Sequence, residues 1–149
     1  GCLSTEFFSV SMDVENALPT LLIGEIYPWS EVSRIHRIRN GIYQKKGSLI
    51  SLLTDFGRIN PCYPDVHGNI SDTIIYTGSG RHGDQILEPA NRTLLAAVGQ
   101  NIAVPLFNKL AVGCWEFTGY WQVSDAKYAF DENQNRMLWK FTLTRAAGC

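Results

Sequence analysis

Ile74-Ile75-Tyr76-Thr77-Gly78-Ser79-Gly80, running on into Arg81-His82-Gly83-Asp84-Gln85, is the stretch whose reading decides the fold. Its first half combines β-branched residues, an aromatic ring and a threonine, the residue set of a strand in a pleated sheet. Its second half cannot continue that strand. Gly78, Gly80 and Gly83 permit positive φ and let the backbone come close to a flat or charged group. A rigid strand thus delivers an aromatic ring, a hydroxyl and bare backbone to one point, which suits a pocket for a planar polar ligand. The plainer alternative is a strand that simply ends in a glycine turn.

The rest of the chain sets bounds on that reading. Its 149 residues are 45% hydrophobic and 18% charged, which fits one globular domain with a core of its own. The net charge of −1 argues against coating nucleic acid by bulk electrostatics, but leaves room for a local basic face. The four cysteines, Cys2, Cys62, Cys114 and Cys149, are scattered and form no C-x-x-C pair. With His36, His67 and His82 they complete no metal site by spacing, so no metal and no cofactor is expected. Reduced thiols and an intracellular setting, bacterial cytoplasm or eukaryotic nucleus, are the expectation. Neither a signal peptide nor a membrane span is expected, since the apolar run Ala17–Ile23 is short and contains Pro19.

Residues 1–23 read as a lead-in, with a helical turn over Val14–Leu18 capped by Asp13, and residues 24–149 as the domain. A short helix is expected over Ser30–Ile35 with Ser30 as its cap. Strands are expected over Leu49–Leu53, Ile70–Thr77 (as the central strand) and Ile102–Phe107, one or two more over 111–123, and a last one over Met137–Thr144. Glu88–Val98 reads as a helix, with Pro89 at its start and Gly99 past its end. Thr54–Gly68 is a loop stiffened by Pro61 and Pro64. Strands outnumber helices, so the fold class is α+β, mainly β: a twisted barrel or saddle with two or three helices packed outside.

Arg34, His36, Arg37, Arg39, Lys45 and Lys46 fall within thirteen residues uninterrupted by an acid. Such a passage is either a phosphate-contacting surface or a solvated basic loop.

Taken in order, several pieces carry a resemblance. Tyr76-Thr77-Gly78-Ser79-Gly80, then Gly83-Asp84-Gln85, then Asn91-Arg92-Thr93-Leu94-Leu95 resemble the SRA (SET and RING-associated, or YDG) domain, a PUA-like fold. Arg39-Asn40-Gly41-Ile42, Tyr63-Pro64-Asp65, Phe117–Val123 and Leu138–Leu143 resemble its flanking segments. The similarity spans roughly residues 24–145. It is strongest to compact bacterial members joined to HNH nucleases in restriction systems that attack modified DNA.

The resemblance implies a reader of 5-methylcytosine or 5-hydroxymethylcytosine in double-stranded DNA that flips the base out of the helix, with a fused nuclease as a further partner and no role for a membrane. A flipped base must be re-stacked and its polar edge re-bonded. Tyr76 and Tyr63 are then the aromatic clamp, with Phe56 in reserve. Asp65 accepts from the cytosine amino group, and Thr77 and the Thr77–Gly78 backbone meet the remaining edge. Arg39 is either the group that enters the vacated stack or another basic loop residue. Asp84, Gln85, Asn91 and Arg92 match the family as scaffold.

Two departures stand out. The long basic finger of eukaryotic members shrinks here to Arg81-His82, and Tyr-Asp-Gly becomes Phe117-Thr118-Gly119. Two rival readings remain: an RNA-binding PUA-like domain, and a metal-dependent nuclease built from Pro64-Asp65 and Asp125-Ala126-Lys127.

The basic passage yields a direct test. Neutralising Arg34, Arg37, Arg39, Lys45 and Lys46 should flatten the dependence of log K on log salt by roughly one unit for each phosphate no longer paired with a cation. An unchanged slope in salt-titrated binding would remove this passage from the DNA face.

Overall fold

The computed structural model describes residues 20–146. The turn expected near Asp13, Cys2 and Cys149 lie outside them. Eight strands and two helices occur among the described residues: β1 (Ile26–Tyr27), α1 (Trp29–Val32), β2 (Ile42–Lys45), β3 (Ser48–Thr54), β4 (Val66–His67), β5 (Thr73–Thr77), α2 (Pro89–Ala97), β6 (Val104–Ala111), β7 (Cys114–Asp131) and β8 (Arg136–Arg145). No described helix is long and apolar enough to cross a membrane.

The strands form one sheet in the order β2-β3-β6-β7-β8-β5-β4, with β1 added to β7. Pairing is antiparallel except between β3 and β6, which run parallel. That order has two ends, so the sheet curls into an open saddle rather than a closed barrel. β5 is not central, as the sequence suggested. It is the penultimate strand, covered on its outer side only by the two residues of β4. The strand also starts later than the apolar pattern implied, because Asp72 sits at φ 60° in the turn before it.

Local chemistry explains the helices. α2 begins with Pro89, whose missing N–H is lost where no partner exists anyway. The Glu88 carboxylate caps it by accepting from Asn91 N at 2.8 Å. Leu94 is fully buried and turns with Thr93 and Ala97 onto the sheet. α1 is a single turn that starts after Pro28; Ser30, expected as its cap, is its second residue. α2 closes the larger core cluster, built from Ile42, Leu52, Ile74, Tyr76, Leu106, Phe141 and Leu143. A second cluster of Val32, Leu53, Phe107, Trp115 and Phe117 lies under α1.

β7 alternates buried and half-buried residues from Cys114 to Val123. A register shift between Val123 and Asp125 interrupts its pairing with β8. Beyond it the two strands continue to the turn before Arg136. At this end the Tyr128 hydroxyl donates to Gln85 O at 2.8 Å, tying the β7–β8 hairpin to the glycine turn after β5.

Candidate functional site

The two ends of the sheet face each other across a seam, and polar bonds rather than a ladder join them. The Tyr76 hydroxyl on β5 reaches the far end, donating to Leu53 O at 2.8 Å with Gly41 O at 3.2 Å. Asp65 crosses the same gap. Its Oδ2 accepts from the Thr54 hydroxyl and its Oδ1 from Thr77 N, each at 2.6 Å. A cleft of about 410 Å³ opens along this seam. Arg39, Gly41, Thr54, Tyr63, Asp65, Tyr76, Thr77, Gly78, Ser79 and Arg81 are among the residues that line it.

Of the expected pocket residues, the fold therefore gathers Tyr63, Asp65, Tyr76, Thr77 and Gly78 around one cleft. Phe56 is the exception. Its φ of 53° turns the chain, and its ring stacks on His67 with centroids 4.4 Å apart, lining a separate hollow with Ile74 and Trp121. The rings of the clamp are also unequal. Tyr76 is 3% exposed and acts first as a tie across the seam, whereas Tyr63 is only half-buried.

Asp65 sets the electrostatics. Burial lifts its carboxyl from the usual 3.8 to about 6, opposed in decreasing order by the bonds from Thr54, from the Thr77 backbone and from the Thr77 side chain, and by the charge of Lys140. With three bonds accepted, the carboxylate keeps about one of its four lone-pair directions for a ligand donor. In the ionised state the site is an acceptor beside a backbone turn whose own amides are engaged, Gly78 N with Trp139 O and Ser79 N with Asn91 Oδ1.

That turn is held from three sides. Gln85, 1% exposed, donates to Gly78 O at 2.7 Å and Gly80 O at 3.1 Å, while its Oε1 accepts from Trp139 N. Asn91, fully buried, accepts from Ser79 N at 2.7 Å and donates to Ser79 O and Ile86 O. Arg136 donates to Gly80 O, Gly83 O and Cys62 O, tying the turn to the residue before Tyr63. A Cβ on Gly78 would lie 2.6 Å from Asn91 Oδ1 and 2.9 Å from Trp139 Cβ, so glycine is required there.

The expected basic surface divides. Arg37, Arg39, Lys45 and Lys46 are exposed, the two lysines at the β2–β3 hairpin. Arg34 is half-buried and lies 4.0 Å from Glu31. Arg39 stands 4.6 Å over the Trp29 ring at the cleft wall. Arg81 also lines the cleft, while exposed His82 does not.

His36 needs correcting. It is fully buried and cannot meet a phosphate. Its Nε2 donates to the Asn40 carbonyl, which can only accept, and its Nδ1 therefore accepts from the Ser51 hydroxyl at 2.7 Å. Burial lowers its pKa to about 4, partly offset by the Asn40 bond, so it is neutral near pH 7. Its task is to hold the Arg39–Gly41 loop against β3.

Several contributors escaped the sequence reading. Trp29 and Trp115, with centroids 5.4 Å apart, form one cleft wall, and Lys109 stands 5.5 Å over Trp115. Arg58 donates to Lys109 O at 2.8 Å and braces that wall. Lys109 follows no local motif; it reaches the cleft through strand pairing, which a linear reading does not supply. Asp125 and Lys127 lie on β7, and among the described residues no group of three His, Cys, Asp or Glu side chains could hold a metal ion.

The sequence model of the ScoMcrA-like SRA domain matches residues 36–146. The chain belongs to this SRA family. No curated protein matches it. Among solved structures, it is similar to the SUVH5 SRA in complex with hemi-methylated CG DNA, at 26% identity and a TM-score of 0.73, over 89% of this chain and 93% of that one. The SUVH5 SRA bound to fully hydroxymethylated CG DNA gives 23% identity and a TM-score of 0.71 over the same shares. The modification-dependent restriction endonuclease TagI gives 20% and 0.68, with 88% of this chain covering 52% of TagI.

The buried carboxylate has a signed consequence for stability. A folded-state pKa of about 6 against 3.8 means that Asp65 favours folding fully below 3.8, and that this contribution is lost as pH rises through 6. His36 works in the opposite sense, favouring folding above 6.5 and losing that contribution as pH falls toward 4. Comparing wild type with Asp65→Asn cancels the histidine. The asparagine variant should be more stable at pH 7, by up to about 2–3 kcal/mol, and the gap should close on acidification toward pH 4. Denaturant melts across pH check this; a variant less stable at pH 7 would mean that Asp65 is already neutral or better paired than its burial implies.

Proposed function

We propose that this domain reads 5-modified cytosine in duplex DNA by drawing the base out of the helix into the seam cleft. The observation that carries the proposal is the convergence of Asp65, Tyr63, Tyr76 and the Thr77–Gly78 backbone on one cleft. Cytosine offers an N4 amino donor beside its N3 and O2 acceptors. Ionised Asp65 accepts from N4, whereas the Thr77–Gly78 backbone expected to meet N3 and O2 is already engaged, Thr77 N by Asp65 Oδ1 and Gly78 N by Trp139 O. Tyr63 supplies the more accessible ring for stacking, an interaction worth roughly 1–3 kcal/mol per base.

Family membership supports this reading, as does the shared fold with an SRA domain bound to hemi-methylated and to hydroxymethylated CG DNA. Arg39, Arg81 and Lys109 at the cleft supply cations for the phosphates on either side of a flipped nucleotide. TagI is a modification-dependent restriction endonuclease, of which this chain matches 52%. We therefore assign the chain the recognition step, with DNA cleavage left to a fused or partner nuclease.

Flipping costs a few kcal/mol in unstacking and unpairing, and only interactions in the pocket return it. Duplexes that differ at one site, carrying cytosine, 5-methylcytosine or 5-hydroxymethylcytosine, should bind with clear preference for a modified base. Tyr63→Ala and Asp65→Ala should each remove that preference, roughly a tenfold loss or more, while leaving weak, salt-sensitive binding to all three. Folded alanine variants that keep the wild-type preference, or equal binding to single-stranded RNA of the same length, would refute the assignment.

A further inference from the structure

Lys140 is a cation beside the pocket that makes none of the base interactions proposed for it. It sits on β8 directly across from Thr77 of β5, and its Nζ lies 3.4 Å from the Thr77 hydroxyl oxygen. The same hydroxyl bonds Asp65, and Lys140 acts electrostatically on that carboxylate. An ammonium carries only donors. Lys140 therefore takes the Thr77 oxygen as acceptor and leaves its hydroxyl proton to point at Asp65.

Holding a lysine there has a cost. It is half-buried and faces Lys127 directly on β7, with Arg136 also opposing its charge. Burial, the leading effect, lowers its pKa; Asp131 and Asp65 oppose the shift. Other ionisable groups of this neighbourhood are Tyr76, whose hydroxyl burial and the Asp65 charge hold neutral, Tyr63 and Asp55. Arg39, Arg81, Lys109 and Glu88 also line the cleft, but the charge that acts on Asp65 is that of Lys140.

We infer that Lys140 is a specificity-determining residue that keeps the pocket carboxylate ionised, so that the site accepts cytosine and rejects thymine. The inference rests on the reading of Asp65 as the group that meets the base. Thymine has the same ring and methyl group as 5-methylcytosine but presents O4, an acceptor, in place of the N4 amino donor. An ionised carboxylate, an acceptor only, repels O4. A protonated carboxyl has one donor and one acceptor, and so bonds O4 and the thymine N3–H together. The state of one proton therefore decides whether 5-methylcytosine is told apart from thymine, its deamination product. Thymine opposite guanine is a mismatch and is easier to flip than a paired base, so discrimination has to come from the pocket.

The test measures affinity for duplexes with 5-methylcytosine or thymine opposite guanine between pH 5 and 8. For wild type, the preference for 5-methylcytosine should be high at pH 8 and collapse with a midpoint near 6. Lys140→Met should move that midpoint up by roughly half a unit to one unit, so that at pH 7 the variant binds thymine·guanine several-fold better relative to 5-methylcytosine. Lys140→Arg should restore the wild-type profile. A folded Lys140→Met whose profile superimposes on wild type overturns the inference. So does a loss of affinity for both duplexes, equal at every pH, which marks a merely structural or phosphate-binding role. Asp65→Asn separates the two inferences: it should abolish the pH dependence altogether, and if it does not, the reading of Asp65 fails before that of Lys140 is reached.

Discussion

The structure depends on how a sheet that does not close is held at its open seam. β2–β3 and β5–β4 curl toward each other without forming a ladder. Three side-chain bonds replace it: Tyr76 to Leu53, Thr54 to Asp65, and Thr77 N to Asp65. A closed ladder would satisfy every backbone group and leave no cleft. Side-chain ties leave gaps between them, and it is into the gaps that the Asp65 carboxylate and the Tyr63 ring open. The same residues thus close the fold and open the site.

This arrangement gives up some stability in return for readiness. Burying a carboxylate that stays charged at neutral pH costs free energy unless a ligand donor answers it. The surroundings are built to tolerate that cost. Gln85, Asn91 and Arg136 fix the Gly78–Gly83 turn through carbonyls and amides, and His36 fixes the opposite loop through Asn40. A site so held has little ordering left to do when a base arrives, which is the condition for its interactions to offset the cost of flipping.

Much of this was legible in the sequence where the cause is local. The β5 pattern, its glycine turn, the Pro89 start of α2 and the turn before Arg136 follow from residues adjacent in the chain. Tyr63, Asp65, Tyr76 and Thr77 were nameable because they sit in short motifs. What was not legible depends on direction and register. Nothing beside Phe56 announces that a left-handed φ turns its ring to His67 rather than toward the seam. His36 stands among arginines and lysines, yet lies where α1 gives way to the Asn40 loop and points inward. The places of Lys109 and Lys140 are fixed by partners on other strands, so charge patterning along the chain could not find them. The sheet order likewise moved β5 from the centre to the penultimate position, because β8, the last strand in sequence, inserts beside it.

Every role proposed for the cleft requires that a base leave the duplex and enter the seam, and the most direct measurement is the fluorescence of 2-aminopurine placed beside a single 5-methylcytosine. Unstacking of the neighbour on flipping should raise the signal when the protein saturates the modified duplex, and leave it low for the unmodified duplex at equal occupancy. Saturation of the modified duplex with no change in signal would show binding without flipping and contradict the proposed recognition.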